Sequence, residues 1–137
     1  MNNVSFSLGR GFLENHCMYT VLVVEDEMLV RMPIAEHLRD CGYHVLEAGN
    51  ASEAIAAMEG EDPVSLVFTD VRMPGKMDGF GLAEWFHSHY PEVPVLLTSG
   101  YNGGRTIPTT GVDAGRFIEK PYSQTQVAQQ IAALLNT

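Results

Sequence analysis

The sequence has only two cysteines, Cys17 and Cys41, among its 137 residues. Two cysteines cannot form a disulfide framework or a cysteine-rich metal cluster, so a reducing cytoplasm is the simplest compartment. No apolar run approaches the length needed to cross a membrane. Arg10 and Glu14 interrupt the only N-terminal stretch that could serve as the apolar part of a secretion signal. These absences predict a cytoplasmic protein with no segment inside a membrane.

Positive charge is also scarce. Lys and Arg total 8 against 17 Asp and Glu, the net charge is −9, and the basic residues are scattered along the chain. This balance argues against direct binding to nucleic acid and favours protein partners. The remaining composition, 45% hydrophobic and 18% charged, is ordinary for a globular protein, and the length suits one domain.

Residues 1–17 show no sustained hydrophobic period, so we expect a flexible N-terminal extension there and a single folded domain over residues 18–137. Within that domain, short apolar segments typical of buried strands alternate with helical patterns. The strands are predicted at 20–24, 43–48, 64–69, 94–98 and 116–119. This alternation predicts an α/β fold with a parallel sheet, helices on both faces and right-handed crossovers.

Several local signals predict where the helices begin and end. Gly42 suits the position just after the first helix, and Asn50 can cap the second. Gly79 opens the third helix, and Ser123 with Gln126 forms the pattern of a capping box at the start of the last one.

The segment between the fourth and fifth predicted strands is different. Residues 102–115 contain four glycines and Pro108 and have no helical period. Any helix there is therefore expected to be short or unstable, in spite of its position in the alternation.

Chemically active residue types stand at the carboxyl ends of four predicted strands. Glu25 and Asp26 follow the first strand, Asp70 the third, Ser99 the fourth and Lys120 the fifth. Because these ends share one edge of a parallel sheet, three carboxylates, a hydroxyl and an ammonium group are expected to converge there.

Three carboxylates in one cleft repel each other, and an all-oxygen site of this kind suits Mg²⁺ with several bound waters. The cation would also offset the charge of an incoming phosphoryl group, toward which a carboxylate is a competent nucleophile. Plainer roles remain open for each residue. Glu25 and Asp26 could cap the first helix, Ser99 could be a turn residue, and Lys120 could be a solvated surface residue.

Five short motifs occur in the order and spacing of one known family. They are VLVVEDE at 21–27, FTDVRMP at 68–74, MDG at 77–79, VLLTSGY at 95–101 and FIEKP at 117–121. The chain thereby resembles the receiver domain of two-component response regulators over residues 19–135.

The resemblance implies a flavodoxin-like (βα)5 fold with strand order 2-1-3-4-5. It implies that Asp70 receives a phosphoryl group from a histidine kinase or a histidine phosphotransfer protein. Mg²⁺ would be held by Asp26, Asp70 and the backbone carbonyl of Arg72, and Glu25 would act through water. Such a domain catalyses only its own phosphorylation and dephosphorylation, so it is not expected to be an enzyme in the ordinary sense.

The resemblance also assigns the switch. Ser99 rather than Thr98 would be the switch hydroxyl, because it lies five residues after Pro94, as the family's hydroxyl usually does. Lys120 would pair with the phosphoryl group. The Lys120-Pro121 peptide is expected to be cis, and Phe117 would be the aromatic residue that turns inward when Ser99 moves. A downstream protein would then dock on the altered surface.

Two features depart from the family pattern. The loop after Pro74 has one extra residue, Lys76, and residues 102–115 do not look like the usual fourth helix. We hypothesise that the switch involves an order–disorder change in that segment.

Two questions about the chain stay open, namely its context and its function. The chain is expected to be a stand-alone receiver, but it could be a piece of a hybrid histidine kinase. The alternative function is a pseudo-receiver that acts as a phosphorylation-independent interaction module. Such proteins usually lack the acidic pair, the aspartate or the lysine, all of which this chain retains.

Overall fold

Five parallel strands form a single sheet in the order β2-β1-β3-β4-β5, as seen in a computed structural model that describes residues 19–99 and 117–136. For Ser99 the description covers only the backbone. The strands are β1 (Thr20–Val24), β2 (His44–Ala48), β3 (Leu66–Asp70), β4 (Val95–Ser99) and β5 (Phe117–Glu119). The described helices are α1 (Met28–Asp40), α2 (Ala51–Ala57), α3 (Gly79–His89) and α4 (Gln124–Leu135). The predicted flavodoxin-like architecture and strand order are confirmed.

Two expectations concern parts of the chain outside the described residues. They are the flexible extension at 1–17 and the short, unstable or switching segment at 102–115. Both stay predictions.

The interior strand β1, between β2 and β3, shows how the core is divided between the two faces of the sheet. All five of its residues are buried, and successive side chains point to opposite faces of the sheet. Val21 and Val23 pack with buried residues of α1 and α4, whereas Leu22 and Val24 pack with those of α2 and α3. A strand covered on both sides needs apolar residues throughout, which accounts for the continuous hydrophobic run in the sequence.

The predicted helix-end signals are confirmed. Gly42 has a φ of 104° just after α1, a conformation that favours glycine. The Asn50 side chain accepts a hydrogen bond from the Glu53 amide at 2.8 Å. Ser123 and Gln126 form both hydrogen bonds of the capping box, at 2.8 and 3.1 Å. These caps fix where each helix leaves the sheet and hence where the connecting loops meet at its edge.

No helix in the described part of the chain is both long enough and apolar enough to span a membrane.

Candidate functional site

The carboxyl edge of the sheet brings together acidic and basic residues from three separate strands. Asp70 is the last residue of β3, Glu25 follows β1 directly, and Lys120 follows β5 directly. Asp70 and Glu25 are buried, at 7% and 4% exposure, while Asp26 is exposed beside them. One carboxylate is therefore open to solvent, and two lie at the base of the cleft.

Asp70 has a hydrogen-bond donor at each of its oxygens. The Lys120 ammonium nitrogen lies 2.9 Å from Oδ2, and the Arg72 amide donates to Oδ1 at 3.2 Å. Burial by itself would lower the pKa of Lys120, but the hydrogen bond and charge of Asp70, with a further contribution from Glu25, raise it. Lys120 is thus held in its charged form against the carboxylate.

Glu25 is in a less favourable electrostatic position. Its Oε2 accepts a hydrogen bond from the Glu27 amide at 3.0 Å, and its Oε1 lies 4.0 Å from the Lys120 nitrogen. Burial, followed by the proximity of Asp70 and then of Asp26, nevertheless raises its pKa to about 8. One lysine does not compensate for the three neighbouring carboxyl groups.

This excess of carboxylate fits the donor set of a hard divalent cation. Among the described residues, no three carboxylate, histidine or cysteine side chains are placed to hold a metal together. The ligand set that the family resemblance implies contains two carboxylates, those of Asp26 and Asp70, and the Arg72 carbonyl. A site with few protein ligands and several waters is the kind that Mg²⁺ adopts, so the residues present fit this ion.

Gly79 allows α3 to begin directly against the backbone of Asp70. Its amide donates to the Val71 carbonyl at 2.7 Å, and a Cβ added at this position would overlap the Asp70 carbonyl oxygen. Only glycine permits this close approach. The helix start therefore supports the backbone that carries Asp70.

The remaining predicted residues have the following places. Ser99 ends β4, where it is in register with Glu119, and its side chain lies outside the description. Phe117 is partly buried at the start of β5 and packs against the core beneath α2 and α3. The Lys120-Pro121 peptide is cis, as predicted. The roles of Ser99 and Phe117 in switching stay predictions.

The sequence analysis gave no role to three residues near the site. Arg31 donates to the Glu25 carbonyl at 2.8 Å. The Tyr122 ring packs edge-on against Phe68, and burial raises the pKa of its phenol. Thr98 lies in register with Asp70, and its hydroxyl is buried with no hydrogen bond of regular geometry among the described residues. No local pattern in the sequence indicates these contacts, because they depend on how the elements pack against one another.

Comparison with known proteins agrees with this geometry. The sequence model of the response regulator receiver domain matches residues 21–132. A putative NtrX-like response regulator of Rickettsia felis is 34% identical over 109 residues, which cover 78% of this chain and 23% of that protein. The sensor kinase CckA of Brucella abortus is 38% identical over 120 residues, 85% of this chain and 12% of the kinase. The chain thus spans less than a quarter of these curated relatives.

Solved structures of receiver domains also resemble this chain. The receiver domain of the hybrid histidine kinase CckA is 36% identical, with a TM-score of 0.67 over 85% of this chain and 98% of that domain. The receiver domain of NtrX from Brucella abortus is 32% identical, with a TM-score of 0.75 over the same shares.

Proposed function

The chain belongs to the response regulator receiver domain family, and we propose that its Asp70 carboxylate accepts a phosphoryl group from a histidine kinase or a histidine phosphotransfer protein. The observation that carries this proposal is the placement of Asp70. It is buried at the carboxyl end of β3, bonded to Lys120 at 2.9 Å, and beside the acidic pair Glu25 and Asp26. This arrangement suits phosphoryl transfer, because a fixed nucleophile and fixed charges are what that reaction requires.

In the proposed step, a carboxylate oxygen of Asp70 forms a bond to phosphorus as the bond from phosphorus to the donor histidine nitrogen breaks. The histidine nitrogen leaves with the bonding electron pair. Lys120 first neutralises Asp70 and then pairs with the phosphoryl oxygens, so its charge stays matched throughout. Hydrolysis of the aspartyl phosphate reverses the modification, and the domain acts on itself alone.

Mg²⁺ belongs to this proposal. Asp26, Asp70 and the Arg72 carbonyl would hold the ion, with Glu25 acting through water. When bound, the cation supplies positive charge that offsets the carboxylates and the incoming phosphoryl group. The surroundings of Glu25 support this assignment, because the nearby Asp70 and Asp26 carboxyl groups add to the effect of burial in raising its pKa.

The output is proposed to be a change of docking surface. The Ser99 hydroxyl would donate to the phosphoryl group, and Phe117 would turn inward as Ser99 moves. The aspartyl phosphate biases the equilibrium because it interacts better with Ser99 and Lys120 in one arrangement than in the other. The partner would be a downstream protein in the cytoplasm, reached without direct contact to nucleic acid.

The experiment is intact-protein mass spectrometry after incubation with acetyl phosphate, with and without Mg²⁺. Wild type should gain the mass of one phosphoryl group only with Mg²⁺, and Asp70→Asn should gain none. Asp62→Asn is the matched control, because Asp62 is an exposed aspartate that pairs with His44 at 3.3 Å. An equal adduct on Asp70→Asn would contradict the proposal. No adduct on a wild type that binds Mg²⁺ would favour the pseudo-receiver alternative.

A further inference from the structure

The Arg31 side chain joins three elements next to the acidic site. It projects from α1, its Nε bonds Glu47 Oε1 on β2 at 2.9 Å, and its Nη1 donates to the Glu25 carbonyl at 2.8 Å. Only 16% of the side chain is exposed. A guanidinium group can serve both acceptors at once because its donors form a rigid fork, which a lysine cannot match.

The Glu25 peptide is consequently anchored from several directions. Its amide donates to the Ala48 carbonyl of β2 at 3.0 Å, and its carbonyl accepts from Arg31 of α1. Its side chain accepts from the Glu27 amide at 3.0 Å. Of these contacts, the one from Arg31 has a side-chain donor, and so a substitution can remove it without altering the backbone.

Glu47 forms an ion pair with Arg31 and a second one with Arg39. Its second oxygen, Oε2, lies 3.2 Å from Arg39 Nη2, and Arg39 also donates to the Val45 carbonyl at 3.0 Å. Glu47 therefore has two arginine partners, of which Arg31 alone also bonds the Glu25 carbonyl. The ion pair with Glu47 holds the Arg31 guanidinium in place while it donates to the Glu25 carbonyl.

We propose that Arg31 is a positioning residue that anchors the Glu25 peptide and thereby holds Glu25 and Asp26 in place for cation binding. The inference rests on the proposed function, because it assigns a role to Arg31 in the same site. Some residues do not bind a metal themselves but hold its ligands in position by hydrogen bonds. Substitution of such a residue typically lowers metal affinity by about 10- to 100-fold. Arg31 would orient Glu25 and Asp26 in this way, through its hydrogen bond to the Glu25 carbonyl.

The test compares Arg31→Gln and Arg31→Lys with Arg39→Gln. Arg39→Gln removes one ion pair of the same glutamate and leaves the Glu25 carbonyl untouched, so it is the matched control. Mg²⁺ affinity is measured by calorimetry, and hydrogen exchange of the Glu27 amide is measured in the metal-free protein. Urea unfolding of all three variants separates a local effect from a loss of global stability.

Both Arg31 variants should weaken Mg²⁺ binding by about tenfold and speed exchange of the Glu27 amide, with Arg39→Gln close to wild type. Equal Mg²⁺ affinities and equal exchange in Arg31→Gln and Arg39→Gln would overturn the proposal. A wild type that does not bind Mg²⁺ would contradict the proposed function instead. In that case, faster exchange confined to the Arg31 variants would still support the anchoring role.

Discussion

Glu25 is the residue at which burial and charge conflict most clearly. It is 4% exposed, close to two other carboxyl groups, and its pKa is raised from an ordinary 4.5 to about 8. The folded protein therefore keeps a proton on Glu25 that the unfolded chain releases between these pH values. The free energy of unfolding contributed by this group falls as pH rises through that window.

Glu25→Gln should remove this pH dependence. Without Mg²⁺, the variant is expected to gain free energy of unfolding relative to wild type. The gain should grow from about pH 5 to pH 8, because only in wild type does unfolding release the proton of Glu25, which favours the unfolded chain increasingly as pH rises. Urea denaturation in a chelating buffer measures it. Mg²⁺ should shrink the difference, since the bound cation offsets the charge of the carboxylates.

The control for this prediction is Glu59→Gln, which alters an exposed glutamate after α2. Its difference from wild type should stay constant over the same range. A constant difference for Glu25→Gln as well would show that Glu25 does not retain a proton on folding.

For two buried threonines on the neighbouring strands β3 and β4, the same substitution is expected to have opposite effects. The Thr98 hydroxyl has no hydrogen bond of regular geometry among the described residues, although contact with it lowers the pKa of the Tyr122 phenol against the larger effect of burial. The Thr69 hydroxyl donates to the Asp70 carbonyl at 2.9 Å. An unpaired buried hydroxyl is costly, whereas a paired one stabilises.

Thr98→Val is accordingly expected to leave the free energy of unfolding unchanged or raise it by about 1 kcal/mol. Thr69→Val should lower it by about 1 kcal/mol, because a made hydrogen bond is lost. Urea unfolding at one pH measures both. A larger loss for Thr98→Val than for Thr69→Val would mean that the Thr98 hydroxyl has a partner in solution.

At the scale of elements, the contact between α3 and the end of β3 is the tightest constraint on the site. A Cβ at Gly79 would overlap backbone atoms of Asp70 and Val71, which cannot move independently of β3. A Cβ at Gly81, on the same helix, would crowd the flexible Met77 side chain at 2.8 Å and lie at an ordinary contact distance of 3.6 Å from Asp78 Oδ1. The two glycines therefore differ in what a methyl group displaces.

Gly79→Ala should lower the free energy of unfolding by about 1–3 kcal/mol, the usual effect of overpacking, and should slow phosphorylation by acetyl phosphate. Gly81→Ala should be close to neutral, since alanine favours the helix and Met77 can adjust. Thermal unfolding and the rate of adduct formation measure the two effects. Similar losses in both variants would contradict the close approach at Gly79.

The elements themselves were largely predictable, because each has a local signature. Asn50, Gly42 and the Ser123 capping box depend on residues a few positions apart in the chain. The start of β3 was less well predicted. Val64 is buried, yet the strand begins at Leu66, where pairing with Val21 begins. Hydrophobicity reports burial, whereas a strand boundary is set by the neighbouring strand.

At the scale of the whole molecule, the parallel sheet brings distant residues to one edge. Asp70 and Lys120 are 50 positions apart and 2.9 Å from each other. Their convergence was predictable, because it follows from strand direction alone. The contact between Arg31 and the Glu25 carbonyl could not be predicted from the sequence, because it depends on how α1 is rotated against β1 and β2. The choice of Ser99 over Thr98 as the switch hydroxyl stays a prediction.

The central claim is that Asp70 is the residue that receives the phosphoryl group, and the location of the modification tests it most directly. The protein is treated with acetyl phosphate and Mg²⁺ and reduced with borohydride, which converts an aspartyl phosphate to homoserine, and its peptides are sequenced by mass spectrometry. We predict conversion of Asp70 alone. Conversion of Asp26, or a stable modification elsewhere with Asp70 unchanged, would contradict the account.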